Sequence, residues 1–133
     1  MNYPWIFEEL AQKPGAVRDF KEEWQWTRFQ VGGKLFAAIC KDGAGNDALL
    51  TLKLPPEENR FLREQYEDIL PGYYCNKEHW SSIRLEGSVP DHLVRELMET
   101  SYRLVLAGLS KKSSGKSWGS RIFPHNGGLG VQN

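Results

Sequence analysis

The amino-acid sequence predicts an α+β fold: a two-layer α/β sandwich in which a single antiparallel five-stranded sheet carries helices on one face. Two observations support this fold class. The spacing of apolar residues alternates between the helical and the strand period, and short turn-forming segments separate the apolar runs, so that successive strands pair as neighbours. The predicted order of elements is α-β-β-β-α-β-β-α, and 133 residues suffice for one domain with its own core.

The N-terminal half is predicted to contain one helix followed by three strands. Four apolar residues fall on one helical face at the spacing i, i+3, i+4 and i+7, and they are Tyr3, Ile6, Phe7 and Leu10. Pro14-Gly15 ends this helix. Aromatic, β-branched and apolar runs then predict strands at Trp24–Val31, Lys34–Cys40 and Leu49–Leu54.

Two turns connect these three strands. Gly32-Gly33 suits a tight hairpin, because glycine adopts the positive φ angles that such a turn needs. Lys41–Asp47 is rich in glycine, asparagine and aspartate, and it predicts a second hairpin loop. Within this loop, Gly43-Ala44-Gly45 leads into a strand, whereas a phosphate-binding glycine loop leads into a helix.

The C-terminal half is predicted to contain two helices and two strands. Pro55-Pro56 ends a strand and opens a helix, whose inner face is formed by Phe61, Leu62, Gln65, Tyr66 and Ile69. Pro71-Gly72 ends that helix, and short strands at Tyr73–Tyr74 and Trp80–Leu85 flank a turn at Cys75–His79. The longest helix begins at Pro90-Asp91. The domain is expected to cover residues 1–112, followed by a flexible glycine- and serine-rich basic tail over 113–133.

The balance of charge argues against avid nucleic-acid binding. The chain has 17 basic and 17 acidic residues, and phosphate neutralisation supplies most of the non-specific affinity of DNA-binding proteins. The distribution is less even than the sum. From Thr100 onward there is no acidic residue, and a local basic patch is possible there with Arg103, Lys111, Lys112, Lys116 and Arg121.

Cellular location is predicted from what the sequence lacks. No apolar run is long enough to span a bilayer, and the N-terminus lacks the pattern of a secretory signal. Cys40 and Cys75 alone make no disulfide framework. We therefore expect a cytoplasmic protein without a membrane partner.

Catalytic and metal-binding patterns are weak. Cys75 and His79 form a nominal Cys–His pair, but neither an orienting acid nor an oxyanion donor follows from the spacing. The same pair supplies only two of the four ligands of a closed zinc site. We therefore expect neither an enzyme nor a metal site or other cofactor.

The segment Pro71–Trp80 crowds aromatic and hydrogen-bonding side chains into ten residues. Asn76, Lys77, His79 and Trp80 would suit a recognition surface, in which lysine meets phosphate, the amide and imidazole donate hydrogen bonds and the indole stacks. The alternative is a structural role, in which Asn76 and His79 fix the turn and Trp80 fills the core.

Several segments in one order resemble the MmcQ/YjbR-like family between about residues 13 and 112. They are Val31–Ala37, Leu52-Lys53, Arg63–Tyr66, Pro71–Trp80, Gly87–Asp91, Ser101–Val105 and Ala107–Lys112. The resemblance implies a CyaY-like fold and a proposed double-wing mode of DNA binding, with the Gly32-Gly33-Lys34 hairpin and the Lys41–Asp47 loop as wings. The candidate nucleic-acid-binding residues are Lys34, Lys53, Asn76, Lys77, His79, Trp80, Lys111 and Lys112.

Three functions therefore remain open. The leading hypothesis is a non-enzymatic domain that binds double-stranded DNA. The rival is a protein–protein interaction module that binds another protein or itself, as in secretion-chaperone-like folds; zero net charge and three tryptophans expected to be exposed (Trp24, Trp26 and Trp118) favour it. The third is a small-ligand site under the strands of residues 73–80.

Overall fold

The structure is a computed structural model that describes residues 1–72 and 76–114, with side chains for 1–72 and 76–109. Within these residues the fold is α+β, as predicted. In chain order the elements are α1 (Ile6–Ala11), β1 (Val17–Lys21), β2 (Trp26–Val31), β3 (Lys34–Lys41), β4 (Asp47–Lys53), α2 (Pro56–Gln65), β5 (Ile69–Pro71), β6 (Trp80–Arg84) and α3 (Asp91–Ser114).

The described strands form one antiparallel sheet with the order β1-β2-β3-β4-β6-β5. Sequential hairpins join the first four strands, whereas α2 and β5 intervene before β6 returns to pair with β4. The sheet therefore ends at β1 on one side and at β5 on the other. The predicted antiparallel arrangement is confirmed, but the number of strands is six rather than five.

Two of the six strands were not predicted from the sequence, and they are β5 and β1. β1 pairs with β2 along its whole length, from Val17 opposite Gln30 to Lys21 opposite Trp26. Four of its five residues are exposed, so the apolar alternation that marks a half-buried strand is absent. The predicted start of the next strand at Trp24 was also early, because residues 22–25 form the turn between β1 and β2.

The region around α2 and β5 also differs from the prediction. The helix ends at Gln65, and Ile69 lies in β5 instead of on the helix. Phe61, expected on the inner face, is 59% exposed, whereas Asn59 and Leu62 are buried. The predicted strand at 73–74 and Cys75 lie outside the described residues, as do residues 115–133 of the expected tail.

One hydrophobic core lies between the sheet and the helices. Its largest buried side chains come from all three helices and from the facing side of the sheet, and they include Ile6, Leu10, Phe29, Ile39, Leu52, Leu62, Val94 and Met98. A smaller buried cluster of Trp26, Ala38 and Cys40 lies on the opposite face, which we call the helix-free face because none of the described helices packs on it. No helix within the described residues is long and apolar enough to cross a membrane.

A β-bulge in β3 fixes α3 against the sheet. Ala37 lies opposite Phe29 and Leu35 opposite Gln30, so Phe36 is the extra residue, and both Phe36 and Ala37 belong to the core. The Ser101 hydroxyl of α3 donates to the Phe36 carbonyl oxygen at 2.6 Å and accepts from the Lys53 backbone N–H at 2.9 Å. One buried hydroxyl therefore satisfies two backbone groups at the irregularity.

The β2–β3 turn meets the C-terminal part of α3. Gly32 and Gly33 have φ angles of +58° and +78°, as a two-residue hairpin turn of this kind requires. A Cβ atom on Gly32 would lie 2.4 Å from Leu109 Cδ1, whereas one on Gly33 would meet no atom within 4 Å. The turn therefore packs against α3 at Gly32, whereas Gly33 has free space around its Cα atom.

This difference predicts unequal costs for two matched substitutions. Gly33→Ala should lower the free energy of unfolding by about 1–2 kcal/mol, the cost of the positive φ angle alone. Gly32→Ala should cost more, because the Leu109 side chain must also move. Urea unfolding of both variants measures the difference, and equal losses would show that the packing of Leu109 on the turn is unimportant.

Candidate lysine-rich site at one end of the sheet

Four of the candidate residues lie at the same end of the sheet. Lys34 begins β3 directly after the Gly32-Gly33 turn, Lys53 ends β4, and Trp80 begins β6 opposite Lys53. Lys77 belongs to the turn that leads into Trp80. Because neighbouring strands are antiparallel, the start of β3, the end of β4 and the start of β6 meet at one edge. We call this group of Lys34, Lys53, Lys77 and Trp80 the lysine-rich end.

Lys53 and Trp80 share the helix-free face. They are direct cross-strand partners, whose side chains therefore emerge on the same side of the sheet. That side is opposite to the core-facing Leu52 and Leu54. Both side chains are half-buried. The helix-free face thus ends in a lysine beside an indole ring.

The environment of Lys53 disfavours its positive charge. Burial lowers the pKa of Lys53, and the nearby positive charge of Lys34 lowers it further. No carboxylate among the described side chains lies within ion-pair distance of Lys53, Lys34 or Lys77. An anion arriving at this point would relieve both the repulsion and part of the desolvation.

Most other cations in the described part of the chain are already paired. The pairs are Lys13–Glu99, Lys21–Glu23, Arg28–Asp19, Lys41–Asp47, Arg84–Asp68, Arg95–Glu9 and Arg103–Glu99. Arg18 lies over the Phe7 ring with its guanidinium carbon 4.9 Å from the ring centroid. The other described cations without a carboxylate partner are the three lysines of the lysine-rich end and, in α2, the exposed Arg60 and Arg63, which donates to carbonyl and hydroxyl oxygens.

The turn before β6 is held by its own asparagine. The Asn76 side-chain oxygen accepts from the Glu78 backbone N–H at 2.8 Å, and the Asn76 carbonyl accepts from the Trp80 N–H at 2.9 Å. The His79 carbonyl accepts from the Leu54 N–H at 2.8 Å. Asn76 and Lys77 are exposed, and the His79 side chain is partly exposed. Asn76 thus shapes the turn, and the Lys77 side chain extends outward from it.

Helix α2 fastens this turn to the body of the domain. The amide of Asn59 donates to the carbonyl oxygens of Leu54 at 3.0 Å and Glu78 at 2.9 Å, and its oxygen accepts from the Ser81 hydroxyl at 2.5 Å. Arg63 donates to the Lys77 carbonyl, to the Trp80 carbonyl at 2.6 Å and to Ser81 Oγ at 3.1 Å. Two polar side chains therefore bind the backbone from the Lys77 carbonyl to the Trp80 carbonyl.

Neither Asn59 nor Arg63 is among the residues that the sequence predicts for the inner face of α2, which are Phe61, Leu62, Gln65, Tyr66 and Ile69. The buried network nevertheless uses this polar pair. The two residues are four apart and so lie on the same helical face. The spacing of an asparagine and an arginine on one helical face is the sequence feature that could have indicated their contacts with an irregular loop.

Lys111 and Lys112 belong to the last turns of α3. The backbone at these positions lies two and three residues beyond Leu109, which packs on Gly32, and at a rise of about 1.5 Å per residue it stays near the β2–β3 turn. Their side chains lie outside the part of the structure that is described. Only the backbone position of these two lysines therefore bears on the site.

The second predicted wing lies elsewhere. The Lys41–Asp47 loop joins the far end of β3 to β4, so β3 separates it from the lysine-rich end. Backbone N–H groups, chiefly that of Asn46, lower the pKa of Asp42, and Asp47 pairs with Lys41 at 3.0 Å. This loop presents carboxylates and no unpaired cation.

Two further expectations are affected by the structure. Trp26, expected to be exposed, is only 5% exposed, whereas Trp24 is 54% exposed and packs edge-on against it with 5.1 Å between ring centroids. Trp118 and Cys75 lie outside the described residues. Within the residues that are described, no group of three or more histidine, cysteine, aspartate or glutamate side chains is arranged to hold a metal ion.

Comparison with known proteins places this architecture in a family. The family model YjbR matches residues 11–104. The uncharacterized protein YyaQ of Bacillus subtilis is 48% identical over 103 residues, which are 77% of this chain and 82% of that protein. The uncharacterized protein YjbR of Escherichia coli K12 is 36% identical over 103 residues, or 77% and 86% of the two chains.

Solved structures agree with the sequence comparison. Protein DR2400 of Deinococcus radiodurans, described as a DUF419 domain, has a TM-score of 0.66 and 31% identity, covering 74% of this chain and 75% of that one. A Pseudomonas syringae protein has a TM-score of 0.65 and 26% identity, covering 79% and 99%. The chain is thus a small α+β domain whose described residues form a six-stranded antiparallel sheet. It belongs to the YjbR family.

The α2 network predicts a large effect of one substitution. Asn59→Ala should lower the free energy of unfolding by about 2–4 kcal/mol, because two buried carbonyl groups and one hydroxyl lose their partner together. Gln65→Ala on the same helix is exposed and should change it by less than about 0.5 kcal/mol. Chemical denaturation monitored by tryptophan fluorescence measures both, and similar small losses would show that the network is dispensable.

The burial of Lys53 predicts that replacing this lysine by an uncharged residue stabilises the protein, and that the gain depends on pH. Lys53→Met keeps the length of the side chain but removes the charge, so it should raise the melting temperature at neutral pH by a few degrees. The folded-state pKa lies below the usual 10.5, so the cost of the charge is complete below that folded value and fades as pH rises towards 10.5. The advantage of the variant should shrink accordingly in calorimetry between pH 7 and pH 10.5.

The paired Lys41 supplies the control for this measurement. Lys41→Met removes the partner of Asp47 and should give no gain at either pH. A destabilised Lys53→Met protein at neutral pH would mean that the charge of Lys53 already has a stabilising partner.

Proposed function

We propose that this YjbR-family domain binds double-stranded DNA through phosphate contacts at the lysine-rich end. The observation that supports this proposal most is the half-buried Lys53, whose charge has no carboxylate partner among the described residues and is repelled by Lys34. A phosphate group supplies the missing negative charge. The function is one of binding without catalysis, and it takes place in the cytoplasm.

The arrangement suits a phosphate backbone in particular. Lys34 and Lys77 are exposed at the same end of the sheet as Lys53, so one cation is fixed by its surroundings and two others can adjust. Lysine contacts phosphate as a mobile point charge, which tolerates differences in local DNA geometry. Such contacts fix position and carry no sequence information, so we expect binding with little sequence preference.

The rigidity of the turn supports the same proposal. Asn59 and Arg63 hold the carbonyl groups of Lys77 and Glu78, and the Ser101 hydroxyl accepts from the backbone N–H of Lys53. A contact surface whose backbone is already ordered loses less conformational entropy on binding. Trp80 gives Lys53 an apolar neighbour, which strengthens an ionic contact by excluding water from one side.

The neutral net charge defines how strong the binding should be. There is no global positive field to steer DNA, and the carboxylates of the Lys41–Asp47 loop repel phosphate at the opposite end of the sheet. Of the two predicted wings, the proposal therefore retains the Gly32-Gly33-Lys34 hairpin alone. Lys111 and Lys112 at the end of α3 would add charge near that hairpin.

Fluorescence anisotropy with a labelled duplex over a series of salt concentrations tests the proposal. The parent should bind in low salt and weaken linearly on a log–log plot, and each of Lys34→Ala, Lys53→Met and Lys77→Ala should reduce the slope by about 0.9 per lost phosphate contact. Lys41→Ala changes a paired lysine at the other end of β3 and should leave the slope unchanged.

The outcomes of this titration are distinct. No binding in low salt, or an equal loss in the Lys41→Ala control, would contradict the proposal. Tighter binding to single-stranded than to double-stranded DNA would contradict the duplex assignment, since it would point to base stacking on Trp80.

A further inference from the structure

The edge strand β1 has an exposed backbone edge and exposed apolar side chains, and it lies outside the proposed DNA-binding surface. It pairs with β2 on one side, and the backbone groups on its other side face away from the sheet. Two of its apolar side chains are exposed: Val17 by 62% and Phe20 by 47%. An exposed edge with apolar side chains is a template for adding another strand.

The charges on β1 determine which partner strand would fit. If a second copy pairs antiparallel about a two-fold axis, the residue at the centre faces its own copy, and neighbours on either side face each other. Centring on Arg18, Asp19 or Lys21 would place two like charges directly opposite each other, which destabilises a sheet. Centring on Val17 would place Lys21 opposite Lys13, again two like charges. Centring on Phe20 avoids this.

The register centred on Phe20 is complementary over residues 18–22. The two Phe20 rings face each other on the axis, each Asp19 faces Lys21 of the other copy, and each Arg18 faces Glu22 just beyond the strand end. The aromatic pair occurs once, and each of the two oppositely charged pairs occurs twice by symmetry. Charged residues on an edge strand normally prevent it from pairing with another strand. On β1 they instead favour a single register between the two copies.

We propose that two copies of this chain associate edge to edge through β1, forming a continuous antiparallel sheet of twelve strands. The described sheet has six strands in each copy. The helices of both copies then lie on one side, because a two-fold axis perpendicular to the sheet keeps the faces in common. The lysine-rich end lies at the ends of β3, β4 and β6, so it stays accessible in the dimer.

The expected association is reversible and weak. A five-residue edge buries much less than the roughly 1,200 Å² of a standard specific interface, so the dimer should form only at high protein concentration. Its ion pairs are exposed, so salt should weaken it. Asp19 already receives two hydrogen bonds from Arg28, at 2.8 and 2.6 Å, which orient its carboxylate on the helix-free face beside the edge.

A charge-exchange experiment tests both the dimer and its register. Sedimentation velocity of the parent from about 5 to about 500 μM should show a shift from monomer to dimer. Arg18→Glu and Glu22→Arg should each raise the dimer dissociation constant about tenfold or more, because each places like charges opposite each other. The double variant should restore it to within about threefold of the parent.

Restored dimerisation in the double variant distinguishes loss of the ion pair from unfolding. Arg18 also stacks on Phe7, so Arg18→Glu alone is expected to lower the stability of the monomer. If instability were the cause of the lost dimer, the second substitution Glu22→Arg would not restore it. Arg60→Glu, exposed on α2, is the matched control and should leave dimerisation unchanged. A monomer at all concentrations, or a dimer that Arg18→Glu leaves intact, would overturn the proposal, whatever the outcome of the DNA titration.

Discussion

The hydrogen bonds from Asn59 and Arg63 to the turn before β6 are the constraint on which the rest of this structure depends. They join α2 to the edge of the sheet and satisfy the carbonyls of Leu54, Lys77, Glu78 and Trp80 without any regular pairing. Because these carbonyl groups have hydrogen-bond donors, the turn at residues 76–79 can pack against the domain without regular secondary structure. Its Lys77 side chain still extends outward. The same contacts fix where β6 begins, and hence which residue faces Lys53.

The distribution of charge follows from this architecture. Ion pairs neutralise most described cations, while Lys34, Lys53 and Lys77 have no carboxylate within ion-pair distance among the described side chains. Keeping a half-buried lysine without a counter-ion costs stability, which proteins tolerate at positions where a ligand supplies the opposite charge. The net charge of the chain is zero, but its charges are unevenly distributed along the sheet. The unpaired lysines lie at one end, and the carboxylates of the Lys41–Asp47 loop lie at the other.

The sequence predicted those elements whose burial leaves a periodic pattern. Residues of α1, α3 and the central strands β2 to β4 face the core, so their apolar spacing revealed them. β1 was missed because an edge strand buries too little to alternate, and the inner face of α2 was misassigned because its key contacts are polar. Lys34, Lys53, Lys77 and Trp80 were each proposed from residue type, but their meeting at one end depends on strand order. That order, with β6 between β4 and β5, is a property of the tertiary fold that local patterns do not contain.

The most direct test of the account is a titration of the ¹⁵N-labelled protein with a short DNA duplex, followed by amide chemical shifts. The account predicts shifts confined to the backbone around Gly33, Lys34, Lys53 and residues 76–80, with the loop at 42–46 unaffected. Shifts centred on that acidic loop, spread evenly over the domain, or absent at low salt would contradict the claim that the uncompensated lysines form the binding surface.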